Sequence, residues 1–444
     1  MFKDKKIGLI SLGCDKNRVD SERALALIDD RAILTNDITQ ANVIVINSCA
    51  FLESARKEAI ETVFEVNELR RDGTLEKIVL TGCLPQKFVA DMFDDFVEVD
   101  VFLGFLDYDL LFDALELAYK GNRVNFVGKN QKVEINKRIL TTPCHYSYLK
   151  IADGCNNKCT YCLIPKIRGK YISTPIEELV EEAKALGELD EIILVAQDVT
   201  RYGEDLYGEK KLVGLIRELS KLETIKGIRL LYCYPDVFDD ELIEEIATNE
   251  KVIKYVDIPL QHSENAVLKR MNRRGKREDY LNLIAKLKDK VKGIAIRSTF
   301  IAGFPGETEE DFNGLVDFIK QAKFSSVGFF AYSREEGTPA YKLKEQIDED
   351  IKLSRVEKLY EVQRQISLNN LKNFVGKTLS VIVDGIDYEK QSFYGRAHFQ
   401  CPDVDGRVYL SYDGVISQGE RYDVLIEKSD EYDLYGRIID EFTE

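Results

Sequence analysis

Apolar residues recur along this chain with two different periods, and the places where the period changes divide it into three parts. In residues 1–120, short β-branched runs (Lys6 to Leu12, Val43 to Asn47, Lys77 to Thr81) alternate with helical spacing (Val19 to Asp29, Glu53 to Leu69). Such alternation predicts a parallel sheet with helices on its faces. The pattern weakens from Phe105 to Pro143, where Leu110 to Tyr119 reads as a helix and the charged stretch Lys129 to Arg138 as a linker or an extended connection. Residues 140–370 repeat strand then helix six times, with strands at Tyr148–Ala152, Glu191–Ala196, Ile228–Tyr232, Tyr255–Leu260, Ile294–Ile301 and Val327–Tyr332. Six units are too few for an eight-stranded barrel and predict an open partial barrel, with its site at the C-terminal strand ends. Among its helices are Pro175–Leu186, expected to be capped by Ser173 or Thr174, and Thr308–Ala322. An amphipathic helix, Ile351 to Asn370, leads to a break at Gly376. Residues 374–444 then change to strand period, at Leu379–Val383, Tyr394–His398, Val408–Tyr412, Tyr422–Glu427 and Tyr435–Ile439. Gly and Asp turns between these strands predict a small five-stranded antiparallel β-barrel.

Composition narrows the class. Of the 444 residues 44% are hydrophobic and 32% charged, as in a soluble globular protein. No apolar run approaches the roughly 18 residues a membrane span needs. The opening lysines and Ile7 to Gly13 read as a first strand, because no small-residue cleavage site follows. Nine cysteines without a secretion signal point to a reducing cytoplasm, and to metal instead of disulfides. The net charge of −16 opposes broad nucleic-acid binding and favours a basic partner. Residues 374–444 hold 7 Lys and Arg against 15 Asp and Glu, a net of −8, which is poorly suited to phosphates.

The candidate chemistry centres on Gly154-Cys155-Asn156-Asn157-Lys158-Cys159-Thr160-Tyr161-Cys162, just after the first strand of the second part. Three thiolates in one short loop form a metal cradle. An iron–sulfur cube takes four cysteines as a rule, so three leave one iron open to a small molecule. A zinc knuckle completed by Cys144 or His145 is the alternative. Cys14, Cys49 and Cys83 lie just past three strands of the first part, separated by 35 and 34 residues, about one βα unit each. Ligands bind at that edge of an open parallel sheet, so a second three-thiolate site is geometrically natural there. The alternative is three core cysteines. Their small neighbours Gly13, Ser48 and Gly82 would let the backbone approach a bulky cluster. Gln197, Asp198, Gln261, His262, Arg297 and Ser298 sit in or after the other strands and would line a cofactor mouth. The run Lys269 to Arg277 is the strongest basic cluster, read as solvated helix ends or as a substrate-facing patch. Cys144, Cys233, His398 and Cys401 are read as structural.

The cysteine loop, with an aromatic before its last cysteine, resembles the radical S-adenosylmethionine enzymes. Phe300-Ile301-Ala302-Gly303-Phe304-Pro305-Gly306-Glu307 resembles their adenine-contacting stretch, with Gly303 easing backbone approach. Two cysteine triads, a partial barrel and a terminal barrel, in that order, resemble the methylthiotransferases over nearly the whole chain. The stretches that carry this are Ser11 to Asn17, Asn47-Ser48-Cys49, Thr81-Gly82-Cys83, Leu194 to Gly203 and Ile258 to His262. Asp15 and Val199 depart from the family pattern at positions that are not ligands. The resemblance implies an N-terminal parallel α/β domain (1–120), a partial (βα)6 radical-SAM core (140–370) and a TRAM-like β-barrel (374–444). It implies two 4Fe-4S clusters, on Cys14, Cys49, Cys83 and on Cys155, Cys159, Cys162. It also implies S-adenosylmethionine near Tyr161, Gln197, Asp198, Gln261, Arg297 and Gly303. The implied reaction adds a methylthio group to the β-carbon of an aspartate in small-subunit ribosomal protein S twelve. Reductive cleavage of one S-adenosylmethionine would start it, and the N-terminal cluster would carry the sulfur. The electron donor would be a flavodoxin or ferredoxin. A tRNA adenosine substrate, a two-cluster electron-transfer protein and a zinc-stabilised RNA-binding module stand as alternatives; the acidic terminal part disfavours tRNA.

Overall fold

The computed structural model describes residues 2–129, 137–412 and 414–439. Its first sheet holds β1 (Lys6–Ser11), β2 (Ile33–Leu34), β3 (Val43–Ser48), β4 (Lys77–Gly82), β5 (Val101–Phe102) and β6 (Val124–Asn125). All six are parallel, in the order β2-β1-β3-β4-β5-β6. β3 is buried along its whole length, as its unbroken Val-Ile-Val-Ile run requires with helices on both faces. The two-residue strands β2, β5 and β6 escape sequence periodicity because they are shorter than one alternation. β6 falls in the stretch read as irregular beyond the helix Leu111–Tyr119. Most of the expected linker, residues 130–136, lies outside the described residues. Arg138 at its end is no solvated linker residue: its guanidinium pairs with Glu22 at 2.6 Å and Glu182 at 2.8 Å, almost wholly buried.

The second part contains β7 (Tyr146–Lys150), β8 (Ala152–Asp153), β9 (Ile172–Ser173), β10 (Glu191–Val195), β11 (Ile228–Leu230), β12 (Val252–Asp257), β13 (Ala295–Ala302) and β14 (Ser326–Ala331). Six of them form a parallel sheet in the order β14-β13-β12-β11-β10-β7, and β8 pairs with β9 as a small antiparallel clip. The strands follow chain order and the helices wrap one face, so the sheet is an open partial barrel. The main core lies between its outer face and those helices. The helix Ile176–Ala185 begins after Pro175 with no side-chain cap, so neither Ser173 nor Thr174 caps it. Ser173 is instead held in β9, its hydroxyl bonded to Asp205 at 2.6 Å. The helix Glu309–Ala322 is capped by Thr308, in a reciprocal box with Asp311. A long helix, Glu349–Lys372, closes this part.

The third part is a closed barrel of β15 (Thr378–Asp387), β16 (Ser392–Arg396), β17 (Val408–Ser411), β18 (Arg421–Ser429) and β19 (Leu434–Ile438), ordered β15-β16-β17-β19-β18. It is not antiparallel throughout, because β17 and β19 run parallel. Five strands cannot alternate in direction around a closed ring, so one pair must be parallel. The barrel seats against the base of the partial barrel. There Glu191, nearly fully buried, takes Arg229 Nε at 2.5 Å and also Arg396 from β16. His145 Nε2 lies 2.7 Å from Asp384, and Tyr255 donates to Asp405 at 2.7 Å. No helix among the described residues is long and apolar enough to cross a membrane.

Candidate active site

Both cysteine triads lie where the first sheet meets the mouth of the partial barrel. Cys14 occupies the N-cap position of the helix Asp15–Asp29, and Cys83 is the first residue of the helix Cys83–Met92. Helix N-termini carry partial positive charge, which suits an anionic ligand set. Cys49 directly follows β3. The loops are drawn together: a Cβ built on Gly13, whose φ is +94°, would stand 2.7 Å from Cys49 Cβ. Asn17 gathers the three. Its amide donates to Leu12 O and Ser48 O, each at 3.1 Å, and its Oδ1 lies 3.7 Å from Cys83 Sγ. Asn47 holds Asn17 in turn, donating to its carbonyl at 2.9 Å. Burial pushes the Cys83 thiol up to about 12, against the lowering pull of Arg168, and raises Cys49 as well.

The second triad follows β7. The Cys155 amide donates to Gly169 O at 3.1 Å, and the middle of the loop is fixed by Thr160, whose amide donates to Met271 O at 3.0 Å. Cys159 Sγ lies 3.6 Å from the Tyr234 hydroxyl. Burial lifts the thiols of Cys155 to about 11 and Cys162 to about 12. Metal binding at such sites displaces protons from buried thiols, and the resulting charge needs a counterpart. One guanidinium stands by each triad. Arg273 is buried over the Tyr234 ring, 4.0 Å from its centroid, and donates to Pro259 O at 2.6 Å. Arg168 reaches the other triad through Asn17 Oδ1 at 2.6 Å.

Between the triads runs a buried ionic network. Arg168 pairs with Asp20 at 3.1 Å and Asp153 at 2.8 Å; Lys150 pairs with the same two carboxylates. Burial opposes ionisation of Asp153, but Arg168 and Lys150 overcome it and hold its carboxyl well below the usual range. A cleft of about 1000 Å³, bounded in part by Asp20, Phe105, Lys150, Asp153 and Arg168, opens onto this network. The first part docks on the barrel mouth at two further points. Tyr232 donates to Asp15 at 2.9 Å beneath the Lys16 ammonium, and Glu335 accepts from Arg56 at 2.5 Å.

The other expected residues divide. Tyr161 lies within the second cysteine loop, packed with Phe304 and Tyr332. Gln197 donates weakly to Asp153 at 3.4 Å and leaves its Oε1 without a partner. Asp198 braces the loop from below, accepting from Asn157 at 3.0 Å and Thr200 at 2.6 Å. Gln261 has a left-handed backbone (φ 72°) that bonds both ways to β13, at Thr299 O and Ile301 N. Gly303 donates to Glu307 at 2.8 Å and lies against Lys352. Arg297 is engaged elsewhere: it pairs with Asp257 at 2.9 Å and faces Asp405 of the terminal barrel at 3.8 Å. The basic run is divided: Lys269, Arg274 and Lys276 are exposed, and the other three are engaged. Arg270 bonds Gly306 O, Arg273 turns inward and Arg277 pairs with Glu264.

Of the proposed fourth zinc ligands, His145 is tied to Asp384 and Cys144 is exposed. Cys233 and Cys401 are buried. Among the described residues no three His, Cys, Asp or Glu side chains converge tightly enough to hold one metal ion. An iron–sulfur cube sets its thiolates on separate irons and asks for no such convergence. The donor chemistry suits such clusters: six buried or half-buried thiols in two triads, with one guanidinium beside each triad and two helix N-termini at the first.

Family models match in the same order. Residues 6–104 match Uncharacterized protein family UPF0004, residues 149–319 the Radical SAM superfamily, and residues 375–439 the TRAM domain. The chain is 45% identical over 441 residues to the ribosomal protein uS12 methylthiotransferase RimO of Clostridium kluyveri, covering 98% of each chain. It is 44% identical to that of Clostridium tetani, again over 98% of both. The chain belongs to the RimO family. It is thus an enzyme, a methylthiotransferase of the radical SAM superfamily. Among solved structures, the radical S-adenosylmethionine methyltransferase TsrM of Kitasatospora setae superposes with a TM-score of 0.55 at 14% identity, covering 76% of this chain and 77% of that one. At that identity the likeness speaks for the fold, as does one to the radical enzyme OxsB at a TM-score of 0.53 and 13% identity, over 89% and 64% of the two chains. RimO membership was readable from the cysteine motifs; the roles of Asn17, inside one of those motifs, and of Arg273, inside the basic run, were not, and Asp20, Lys150, Arg168, Tyr232 and Tyr234 were not singled out. Charged residues at apolar-periodic positions, such as Asp20 and Lys150, were the available signal.

Proposed function

We propose that this enzyme replaces a hydrogen on the β-carbon of an aspartate of ribosomal protein uS12 with a methylthio group. The observation that carries the reading is the junction itself. Two cysteine triads are joined through Asn17, Arg168 and Asp153, in a chain similar from end to end to uS12 methylthiotransferases. Cys14, Cys49 and Cys83 would hold one 4Fe-4S cluster, and Cys155, Cys159 and Cys162 the other, each leaving one iron without a protein ligand. Those clusters and S-adenosylmethionine supply the radical chemistry and the sulfur that an unactivated C–H bond demands.

The chain's own part is placement and exclusion. Tyr161, Gln197 and Gln261 border the mouth where S-adenosylmethionine would sit. Asp198 and Gly303 act behind them, holding Asn157 and the Gly303–Glu307 turn. Arg297, spent on Asp257 and Asp405, would shape the lumen floor. The three parts, 1–120, 140–370 and 374–444, would act as domains. A net of −8 over residues 374–444 supports a basic protein partner over tRNA. The electron would come from a flavodoxin or ferredoxin.

Anaerobic reconstitution tests the reading. The full chain should take up about eight irons and cleave S-adenosylmethionine under reducing conditions. Replacing Cys155, Cys159 and Cys162 by Ala should leave about four irons and abolish cleavage. Replacing Cys14, Cys49 and Cys83 should also leave about four, keep cleavage and abolish methylthiolation. Zinc in place of iron, or iron without cleavage, would overturn it.

A further inference from the structure

We infer that Arg168 is a positioning residue: it ties the two cysteine triads into one unit and sets the charge felt at the Cys14, Cys49 and Cys83 site. The inference rests on reading both triads as cluster ligands. Its geometry has two halves. On the backbone side, Gly169, the next residue, accepts the Cys155 amide at 3.1 Å. On the side-chain side, Nη2 donates at 2.6 Å to Asn17 Oδ1, the same oxygen that lies 3.7 Å from Cys83 Sγ. Asn17 in turn bonds the carbonyls of Leu12 and Ser48, which lead into Cys14 and Cys49. A shift of Arg168 therefore moves three cysteine loops of one triad against the first cysteine of the other. The guanidinium lies over the Phe105 ring, 4.6 Å from its centroid, and pairs as well with Asp20 and Asp153.

The charge argument follows from the same contacts. Arg168 and Lys150 balance Asp20 and Asp153, so the four side chains together are neutral. Deleting Arg168 leaves a carboxylate uncompensated beside three thiolates, in a largely buried site. Added negative charge disfavours an incoming electron. Deleting Asp20 does the reverse. Lysine keeps the charge but not the planar fork that reaches Asn17 and both carboxylates at once.

The test uses the full chain with Cys155, Cys159 and Cys162 replaced by Ala, so that a single cluster titrates. In that background Arg168→Met should lower the reduced-to-oxidised ratio at fixed potential about tenfold, ~59 mV for one electron. Asp20→Asn should raise it, and the Arg168→Met/Asp20→Asn pair should return it near the parent. In the chain with all six cysteines, Arg168→Lys should keep the potential yet change the magnetic coupling between the clusters seen by electron paramagnetic resonance. If Arg168→Met holds no iron, the opposite shift in Asp20→Asn and the coupling change in Arg168→Lys still decide the matter. Equal potentials in all loaded variants, with unchanged coupling in Arg168→Lys, would overturn the inference. If the parent chain itself takes up no iron, the cluster reading has failed, and the inference with it.

Discussion

Asn17 is buried, and it touches the loops of all three N-terminal cysteines. It was legible as part of the motif Gly13-Cys14-Asp15-Lys16-Asn17, but its role was not, because a one-dimensional pattern does not show that its side chain turns back across two strands. Asn17→Ala leaves the Leu12 and Ser48 carbonyls without their donor in a buried site, a loss on the order of 1–3 kcal/mol. That cost is small beside the fold as a whole but falls on one site. The variant should fold and retain about half its iron, about four of eight, with S-adenosylmethionine cleavage intact. Metal analysis alongside 5′-deoxyadenosine formation checks this; full iron in the variant would remove Asn17 from the site.

Among elements, the strand-to-helix junctions place the chemistry. β4 ends in Gly82 at φ +95°, and a Cβ there would stand 2.3 Å from Asn47 Oδ1 and 2.5 Å from Ser48 O. The next residue, Cys83, opens a helix. Gly82→Ala should therefore destabilise the chain by more than the ~1–2 kcal/mol of left-handed backbone alone. Gly121→Ala, where φ is also positive at +91° but the added Cβ meets open space, should cost only about that amount. Denaturant unfolding of the two variants compares them directly, and equal midpoints would refute the close approach. The long β-branched runs β1, β3 and β4 and the six strands of the partial barrel were readable because each buries a continuous or alternating apolar stripe. β2, β5 and β6 were not, since two residues carry no period. The terminal barrel's parallel pair was equally hidden, because strand count and closure decide it and no local pattern records them. Arg297 and Arg273 show the same limit within the site. Sequence placed Arg297 in the mouth lining and Arg273 in a basic run, but which carboxylate or ring each would meet depends on packing.

At the scale of the whole molecule, Glu191, Arg229 and Arg396 join the partial barrel to the terminal one through a buried ionic knot. Burial works against the Glu191 charge, but Arg229 and Arg396 overcome it and bring its pKa to about 2. Its folded value lies below its unfolded one, so the stabilisation is present above the ordinary value of 4.5 and is lost as pH falls toward about 2. Over that window the contribution is on the order of 3 kcal/mol. The thermal midpoint of the metal-free chain should fall across it, and Glu191→Gln should lower the midpoint at neutral pH while flattening the acid limb. An unchanged acid limb in Glu191→Gln would place the linkage elsewhere. The knot also fixes the acidic barrel at the base of the partial barrel.

The most direct measurement is mass spectrometry of purified uS12 and of tRNA, each incubated anaerobically with the reconstituted enzyme, reductant, a sulfur source and S-adenosylmethionine. The account predicts a methylthio group on one aspartate of uS12, none on tRNA, and none on uS12 with the Cys83→Ser variant, although that variant still forms 5′-deoxyadenosine. Methylthiolated tRNA with unmodified uS12, or modified uS12 from Cys83→Ser at the full rate, would contradict it.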